Sequence, residues 1–344
     1  MSLKEFEHGG QVELFAKQLD CSVDDIIELS SNINFIKPKI NIDFNILDIS
    51  AYPTYDKLYD TISQNYNIKP SQLELFNGGS NAIFTLFRFL DLKKCTIYSP
   101  AYLEYKKAGK TFGYSLNHIN RFEDILEQSK DIEDGSLVVF VNPSTPDGML
   151  YDIDELMNIW IEKNCTVFID ESFLDFTNAT SCSSYIKKYD RLYILKSMTK
   201  FYSSAGIRVG CIVSTSNNIK NLRQNEPAWK ISQFDSTYLQ AALSDDSFKA
   251  IAKEQNNINR DKLKDILDSS SLFTYVSNSK ANYFLVKLKK LKAKQFQELL
   301  KPYKIMVRDC SNFDCLDDSY VRIAVKDENS IVVFCEAIRD IMIK

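Results

Sequence analysis

The strongest constraint in this chain is a series of short apolar runs, each too short for a helix, separated by stretches with helical periodicity. Thr96-Ile97-Tyr98, Leu137-Val138-Val139-Phe140-Val141, Thr166-Val167-Phe168-Ile169, Leu192-Tyr193-Ile194-Leu195 and Cys211-Ile212-Val213 are apolar or nearly so at consecutive positions. A strand with one wet face alternates, so continuous runs read as strands covered on both faces. Between them, Asp152 to Lys163 puts Ile153, Leu156, Met157 and Trp160 on one helical face, and Ser80 to Leu90 reads as a helix after the Asn77-Gly78-Gly79 turn. This alternation predicts an α/β fold, a mostly parallel sheet sandwiched by helices. Downstream the texture changes. Residues 236–270 are helical in pattern, Tyr283–Val286, Ile305–Val307 and Tyr320–Val325 read as strands, and a last helix runs from about Glu328 to Ile343. The expected division is an N-terminal arm (1–40), a large domain (41–245) and a small α+β domain (246–344).

Composition narrows the function. A net charge of −4 with no basic stripe argues against a nucleic-acid surface. Eight cysteines without a CxxC pair and only two histidines argue against a metal centre and for a reduced compartment. No apolar run approaches the roughly 20 residues that span a membrane. Met1-Ser2-Leu3-Lys4-Glu5-Phe6-Glu7 is too acidic and polar for a signal peptide, so the expectation is a cytoplasmic protein.

Four local features carry chemistry. Asn77-Gly78-Gly79-Ser80 opens a helix, where bare N–H groups and the helix dipole suit an anion; a plain N-cap turn is the alternative. Asp170 ends a buried strand, at the edge where open α/β sheets bind ligands; a helix cap is the alternative. Ser197-Met198-Thr199-Lys200, followed by Gly206-Ile207-Arg208-Val209-Gly210, offers an imine-forming lysine with Ser197 and Arg208 to hold a phosphate. The Ser-x-x-Lys also matches a penicillin-recognising hydrolase motif, but its companion Ser-Asp-Asn and Lys-Thr-Gly do not follow. Finally, Arg322 interrupts an apolar strand, with Arg308 fourteen residues before it. Two such arginines suit a doubly anionic substrate, since Arg binds carboxylate and phosphate bidentately.

In this order and spacing the features resemble fold-type I pyridoxal 5′-phosphate (PLP) enzymes, specifically the histidinol-phosphate aminotransferase group and its threonine-phosphate decarboxylase branch. Ser-x-Thr-Lys-Phe-Tyr-x-x-x-Gly-x-Arg-x-Gly is the most specific match, and the likeness runs from His8 to about Lys326. The resemblance implies that PLP forms a Schiff base with Lys200 in the large domain, that Asp170 pairs with the pyridine nitrogen and that Tyr102 stacks on the ring. It implies that Gly78, Gly79, Ser80, Ser197 and Arg208 bind the cofactor phosphate. Tyr52, in Tyr52-Pro53-Thr54-Tyr55, would reach the cofactor phosphate of a neighbouring subunit, giving a homodimer with shared sites.

Several segments are similar to the decarboxylase branch: His8-Gly9-Gly10, Ser31-Asn32-Ile33-Asn34, Phe173 after Asp170-Glu171-Ser172, and Val307-Arg308-Asp309-Cys310-Ser311-Asn312-Phe313. The resemblance implies that Arg308 meets a substrate phosphate and Arg322 a carboxylate, with His8, Gly9 and Asn32 assisting. The substrate would be O-phospho-L-serine or O-phospho-L-threonine, and the reaction a decarboxylation; an aminotransferase acting on a small phosphorylated substrate is the competing reading. A non-catalytic PLP-binding regulator fits poorly with Lys200, Asp170 and Arg208 all retained. One departure stands out. The family's Asn-Pro-Asn-Asn-Pro-Thr-Gly turn reads Asn142-Pro143-Ser144-Thr145-Pro146-Asp147-Gly148, so Thr145 stands where an asparagine donates to the ring 3′-oxygen.

Overall fold

The computed structural model describes residues 8–343; the heptapeptide read as no signal peptide lies outside them. The strands, in chain order, are β1 (Ile27–Leu29), β2 (Leu73–Phe76), β3 (Lys94–Ser99), β4 (Ser115–Asn120), β5 (Leu137–Val141), β6 (Thr166–Asp170), β7 (Leu192–Ser197), β8 (Gly210–Val213), β9 (Phe273–Val276), β10 (Tyr283–Leu288), β11 (Ile305–Asp309) and β12 (Tyr320–Ala324). The helices are α1 (Val12–Leu19), α2 (Asp56–Tyr66), α3 (Gly79–Leu90), α4 (Leu103–Thr111), α5 (Ile125–Ser129), α6 (Asp154–Glu162), α7 (Ser216–Arg223), α8 (Gln233–Leu243), α9 (Asp246–Ser269), α10 (Ala293–Leu300) and α11 (Glu328–Ile343).

Among the described residues these strands form two sheets. The larger has the order β2-β8-β7-β6-β5-β3-β4, parallel from β7 to β4, with β8 antiparallel to both of its neighbours. The parallel strands are apolar throughout because both faces are covered. Val138 and Phe140 pack with Trp160 of α6 on one side, while Leu137, Val139 and Val141 pack with Leu86 and Tyr105 on the other. The smaller sheet has the order β1-β11-β12-β10-β9 and packs on α9, α10 and α11 through Leu263, Phe296 and Phe334. Among the described residues no helix is long and apolar enough to cross a membrane.

The helical stretch 236–270 is two helices, because Asp245 accepts from the Phe248 N–H at 2.9 Å and caps α9. β2 and β4 gave no apolar run. β4 is a polar edge strand, and β2 buries Glu74 against Lys230 (2.8 Å) and Arg223 (2.6 Å).

Trp160 is fully buried, and its indole N–H donates to the Tyr98 hydroxyl at 2.9 Å. Trp160→Ala is expected to cost about 3–5 kcal/mol, read as a lower thermal unfolding midpoint; an unchanged midpoint would contradict the close packing of this face.

Candidate active site

The C-terminal ends of the parallel strands share one edge, where the chain turns into loops rich in polar side chains. Asp170 and Ser197 are the last residues of β6 and β7; Tyr102 follows β3, Thr145 follows β5, and Gly79 opens α3. Lys200 lies just beyond β7 and Arg208 just before β8. The other sheet contributes Arg308 from β11 and Arg322 from β12, and the N-terminal segment brings His8, Gly9 and Asn32. One cavity of about 360 Å³ gathers all of these residues and Ser80, together with Ser172, Phe173, Thr199 and Phe313. Gly78 and Tyr52 do not line it. Gly78 stands behind the wall, and Tyr52 is 72% exposed, stacked on Trp229 at 4.1 Å.

Backbone crowding shapes one end of this cavity. Gly78 has φ +83°, and a Cβ there would come within 2.4 Å of Arg208 Nη2. A Cβ on Gly210 would lie 2.9 Å from the Gly79 nitrogen. The first turn of α3, whose N–H groups have no intrahelical acceptor, thus meets Arg208, while Ser197 Oγ and Thr199 Oγ1 sit 2.9 Å apart nearby. Ser80 Oγ lies 3.2 Å from the Tyr102 hydroxyl. This is a cradle for a phosphate-sized anion.

Asp170 is buried and Lys200 half-buried, and both line the cleft. Ser172 donates to Asp170 Oδ1 from its N–H (2.8 Å) and hydroxyl (2.5 Å), and the Tyr105 hydroxyl donates to Oδ2. Burial still raises the carboxyl above its ordinary value. The next residue, Glu171, points the other way, into a buried contact with Lys196 and a bond from the Ser181 hydroxyl (2.7 Å). Burial, then the charges of Arg322 and Arg208, lower the Lys200 ammonium from 10.5 to about 8. A lysine that loses its proton near neutrality is equipped as a nucleophile and a base.

Arg308 and Arg322 are directly opposite each other in the antiparallel ladder of β11 and β12, and both are buried. Like charges at such positions repel. Arg308 Nη2 donates to Asn312 Oδ1 at 2.8 Å, and its guanidinium lies 5.6 Å from the Phe313 ring centre. Arg322 donates to Thr145 Oγ1 (3.3 Å) and the Ser30 carbonyl (2.9 Å).

The N-terminal segment is seated by contacts only glycine allows. A Cβ on Gly9 would come 2.3 Å from the Ser30 carbonyl, and the Gly10 N–H donates to Ser30 Oγ at 2.8 Å. Beneath, Glu28 accepts from the N–H groups of Ser30 (2.8 Å) and Ser31 (2.7 Å) and lies 3.3 Å from Lys326. Burial would raise Glu28, but Lys326 and these bonds outweigh it and hold the carboxyl below its ordinary value. Asn32 is buried with Oδ1 unpartnered, and His8 Nε2 lies 3.6 Å from Glu104.

Sequence reasoning missed Tyr105, Thr199, Ser172 and Arg121. Thr199 stood inside the lysine motif, and Ser172 beside the aspartate. Arg121 gave no signal: it is buried and donates to the carbonyls of Pro100, Val141 (3.2 Å) and Thr145 (3.2 Å), tying three loops of the edge together.

A model of the aminotransferase class I and II family matches residues 44–338. The chain belongs to this family. It is 30% identical to the adenosylcobalamin biosynthesis bifunctional protein CobDQ of Leptospira interrogans, over 95% of this chain and 40% of that protein's length. Threonine-phosphate decarboxylase of Salmonella typhimurium is 23% identical over 99% of this chain and 98% of the relative. Among solved structures, histidinol-phosphate aminotransferase from Clostridium acetobutylicum superposes with a TM-score of 0.82 at 28% identity, covering 91% of this chain and 98% of that one. The architecture is that of PLP fold type I, and family membership indicates pyridoxal 5′-phosphate as the cofactor. The residues present fit it: groups that can hold an anion, a buried carboxylate and a half-buried lysine of lowered pKa share one cavity.

Arg322→Met removes a positive neighbour of Lys200, which favours the ammonium. The midpoint for acetylation of Lys200 in cofactor-free protein, followed by mass spectrometry against pH, is expected near 8 in the native protein and higher in the variant. An unmoved midpoint would remove Arg322 from the electrostatics of the lysine.

Proposed function

We propose that this chain is a PLP-dependent decarboxylase of a small O-phosphorylated hydroxy-amino acid, O-phospho-L-serine or O-phospho-L-threonine. The observation that carries the reading is the buried cross-strand pair Arg308 and Arg322 in the cavity of Lys200. Two fixed guanidiniums facing each other call for a ligand with two anionic groups. In this reading Arg308 takes the substrate phosphate and Arg322 its carboxylate, with His8, Gly9 and Asn32 closing over the ligand.

Lys200 would link the cofactor, Asp170 would face its ring nitrogen and Tyr102 its ring face. Gly79, Ser80, Ser197 and Arg208 would hold its phosphate, with Gly78 shaping the turn next to Arg208. The cofactor supplies an electron sink that makes the bonds of Cα labile. Which bond breaks is set by the residues around Cα. With the phosphate anchored at Arg308 and the carboxylate at Arg322, Lys200 would be placed to return a proton to Cα as CO2 is lost. The exposed apolar side chains of Ile46, Ile49, Tyr52 and Trp229 support a homodimer in which Tyr52 serves the other copy's site. The name of the Salmonella relative favours decarboxylation. That of the Clostridium enzyme favours a second reading, an aminotransferase using the same anchors on a small phosphorylated substrate.

Incubation of the holoenzyme with phosphoserine or phosphothreonine, without a 2-oxo acid, is expected to release CO2 in step with ethanolamine phosphate or aminopropanol phosphate. One methyl separates the two substrates, worth about 1–3 kcal/mol, so the ratio of rates names the preferred one. No CO2, with turnover only when a 2-oxo acid and a phosphorylated amine are supplied, would favour the aminotransferase. Arg308→Ala is expected to lower kcat/KM by about thirtyfold or more; wild-type kcat/KM would remove Arg308 from phosphate binding.

A further inference from the structure

Arg322 is held from two sides by groups that carry no charge. Nη2 donates to the Ser30 carbonyl at 2.9 Å, Nη1 donates to Thr145 Oγ1 at 3.3 Å, and the buried Nε has no hydrogen-bond partner. The Tyr283 ring lies against the guanidinium, with its centre 5.3 Å from the guanidinium carbon. A guanidinium is planar, so two fixed nitrogens and one ring contact fix its plane. The holders leave its charge unneutralised, and Arg308 directly opposite pushes against it. Without a tether, that repulsion would swing the Arg322 side chain away from its neighbour.

Thr145 is itself pinned. Arg121 Nη2 donates to the Thr145 carbonyl at 3.2 Å, and the Tyr283 hydroxyl donates to the adjacent Ser144 carbonyl at 2.7 Å. Both bonds use the backbone of this loop, and the threonine hydroxyl accepts from Arg322 while also meeting the Tyr283 hydroxyl. Asn32 Oδ1, also unpartnered, lies in the same cavity. The resemblance places Thr145 where an asparagine donates to the 3′-oxygen of the cofactor ring, and the geometry adds a bond to Arg322.

We propose that Thr145 is a positioning residue that aims Arg322 at the substrate carboxylate, and so fixes which bond of Cα stands out of the ring plane. The proposal rests on the reading of Arg322 as the carboxylate site. A hydroxyl suits the task because it accepts from the guanidinium with one lone pair and still has its own proton to donate. Valine keeps the shape of threonine and removes only the hydroxyl, and serine keeps the hydroxyl.

The test uses holoenzyme and two ligands that lack an amine and so bind without reacting: 3-phosphoglycerate, and 2-hydroxyethyl phosphate, which differs from it by the carboxylate. Calorimetry gives both dissociation constants for the native protein, Thr145→Val and Thr145→Ser. The expected result is that Thr145→Val weakens 3-phosphoglycerate by about tenfold, leaves 2-hydroxyethyl phosphate within about twofold, and is rescued by Thr145→Ser. The visible absorption band of the resting holoenzyme should stay in place. Equal weakening of both ligands, or a displaced band with the preference for the carboxylate ligand intact, would overturn the proposal and return Thr145 to the cofactor ring. A native protein with no preference for the carboxylate ligand would overturn the assignment of Arg322, and the proposal with it.

Discussion

Positive charge crowded into one cleft is the constraint on which the site depends. Lys200, Arg208, Arg308 and Arg322 share a cavity with one carboxylate, Asp170, in its wall. Removing such groups from water costs several kcal/mol each, and placing two arginines on one rung of a ladder adds repulsion. Arg322 is held by the Ser30 carbonyl and the Thr145 hydroxyl, and Arg308 donates to Asn312. At Arg322 neutral partners fix direction while bringing no opposite charge, so its push on the Lys200 proton remains.

The floor of the site solves a related problem with full charges. Asp170 and Glu171 are neighbours that face opposite ways, one into the cavity and the other into the core against Lys196. Lys196 also has the Ser181 hydroxyl at 3.1 Å and the Tyr66 ring at 4.7 Å. A buried ion pair adds little net stability, but it is costly to break. Here it ties the ends of β6 and β7 together directly beneath the residues that carry the chemistry.

The sequence was most legible where burial is symmetrical. β5 and β6 advertise themselves by unbroken apolar runs because nothing on either face is wet. β2 did not, since Glu74 sits in its middle with partners that lie far along the chain. β4 lacked a signal because an edge strand has little to bury. The lysine and aspartate motifs are local and were readable from local pattern and resemblance. The pairing of Arg308 with Arg322 was not, because strand register is set by tertiary packing and a shift of one residue would turn either side chain to the other face. For the same reason Thr145 could be placed beside a cofactor by resemblance, while its bond to an arginine on another sheet could not be read.

The first strand of the chain, β1, runs parallel to β11, with Ile27 beside Ile305 and Leu29 beside Val307. Nearly the whole chain separates these partners. At a synthesis rate of about 5–20 residues per second, β1 leaves the ribosome and waits on the order of tens of seconds for the strand it will join. The large sheet, complete at β8, has all its parts well before then. The N-terminal segment and the two arginines therefore arrive at the cleft together and late, and contacts so distant in sequence form slowly. A nascent chain that stalls before β11 would carry Lys200 and Arg208 without the two arginines of the other sheet, so the order of synthesis makes closure of the cleft wait for β11 and β12.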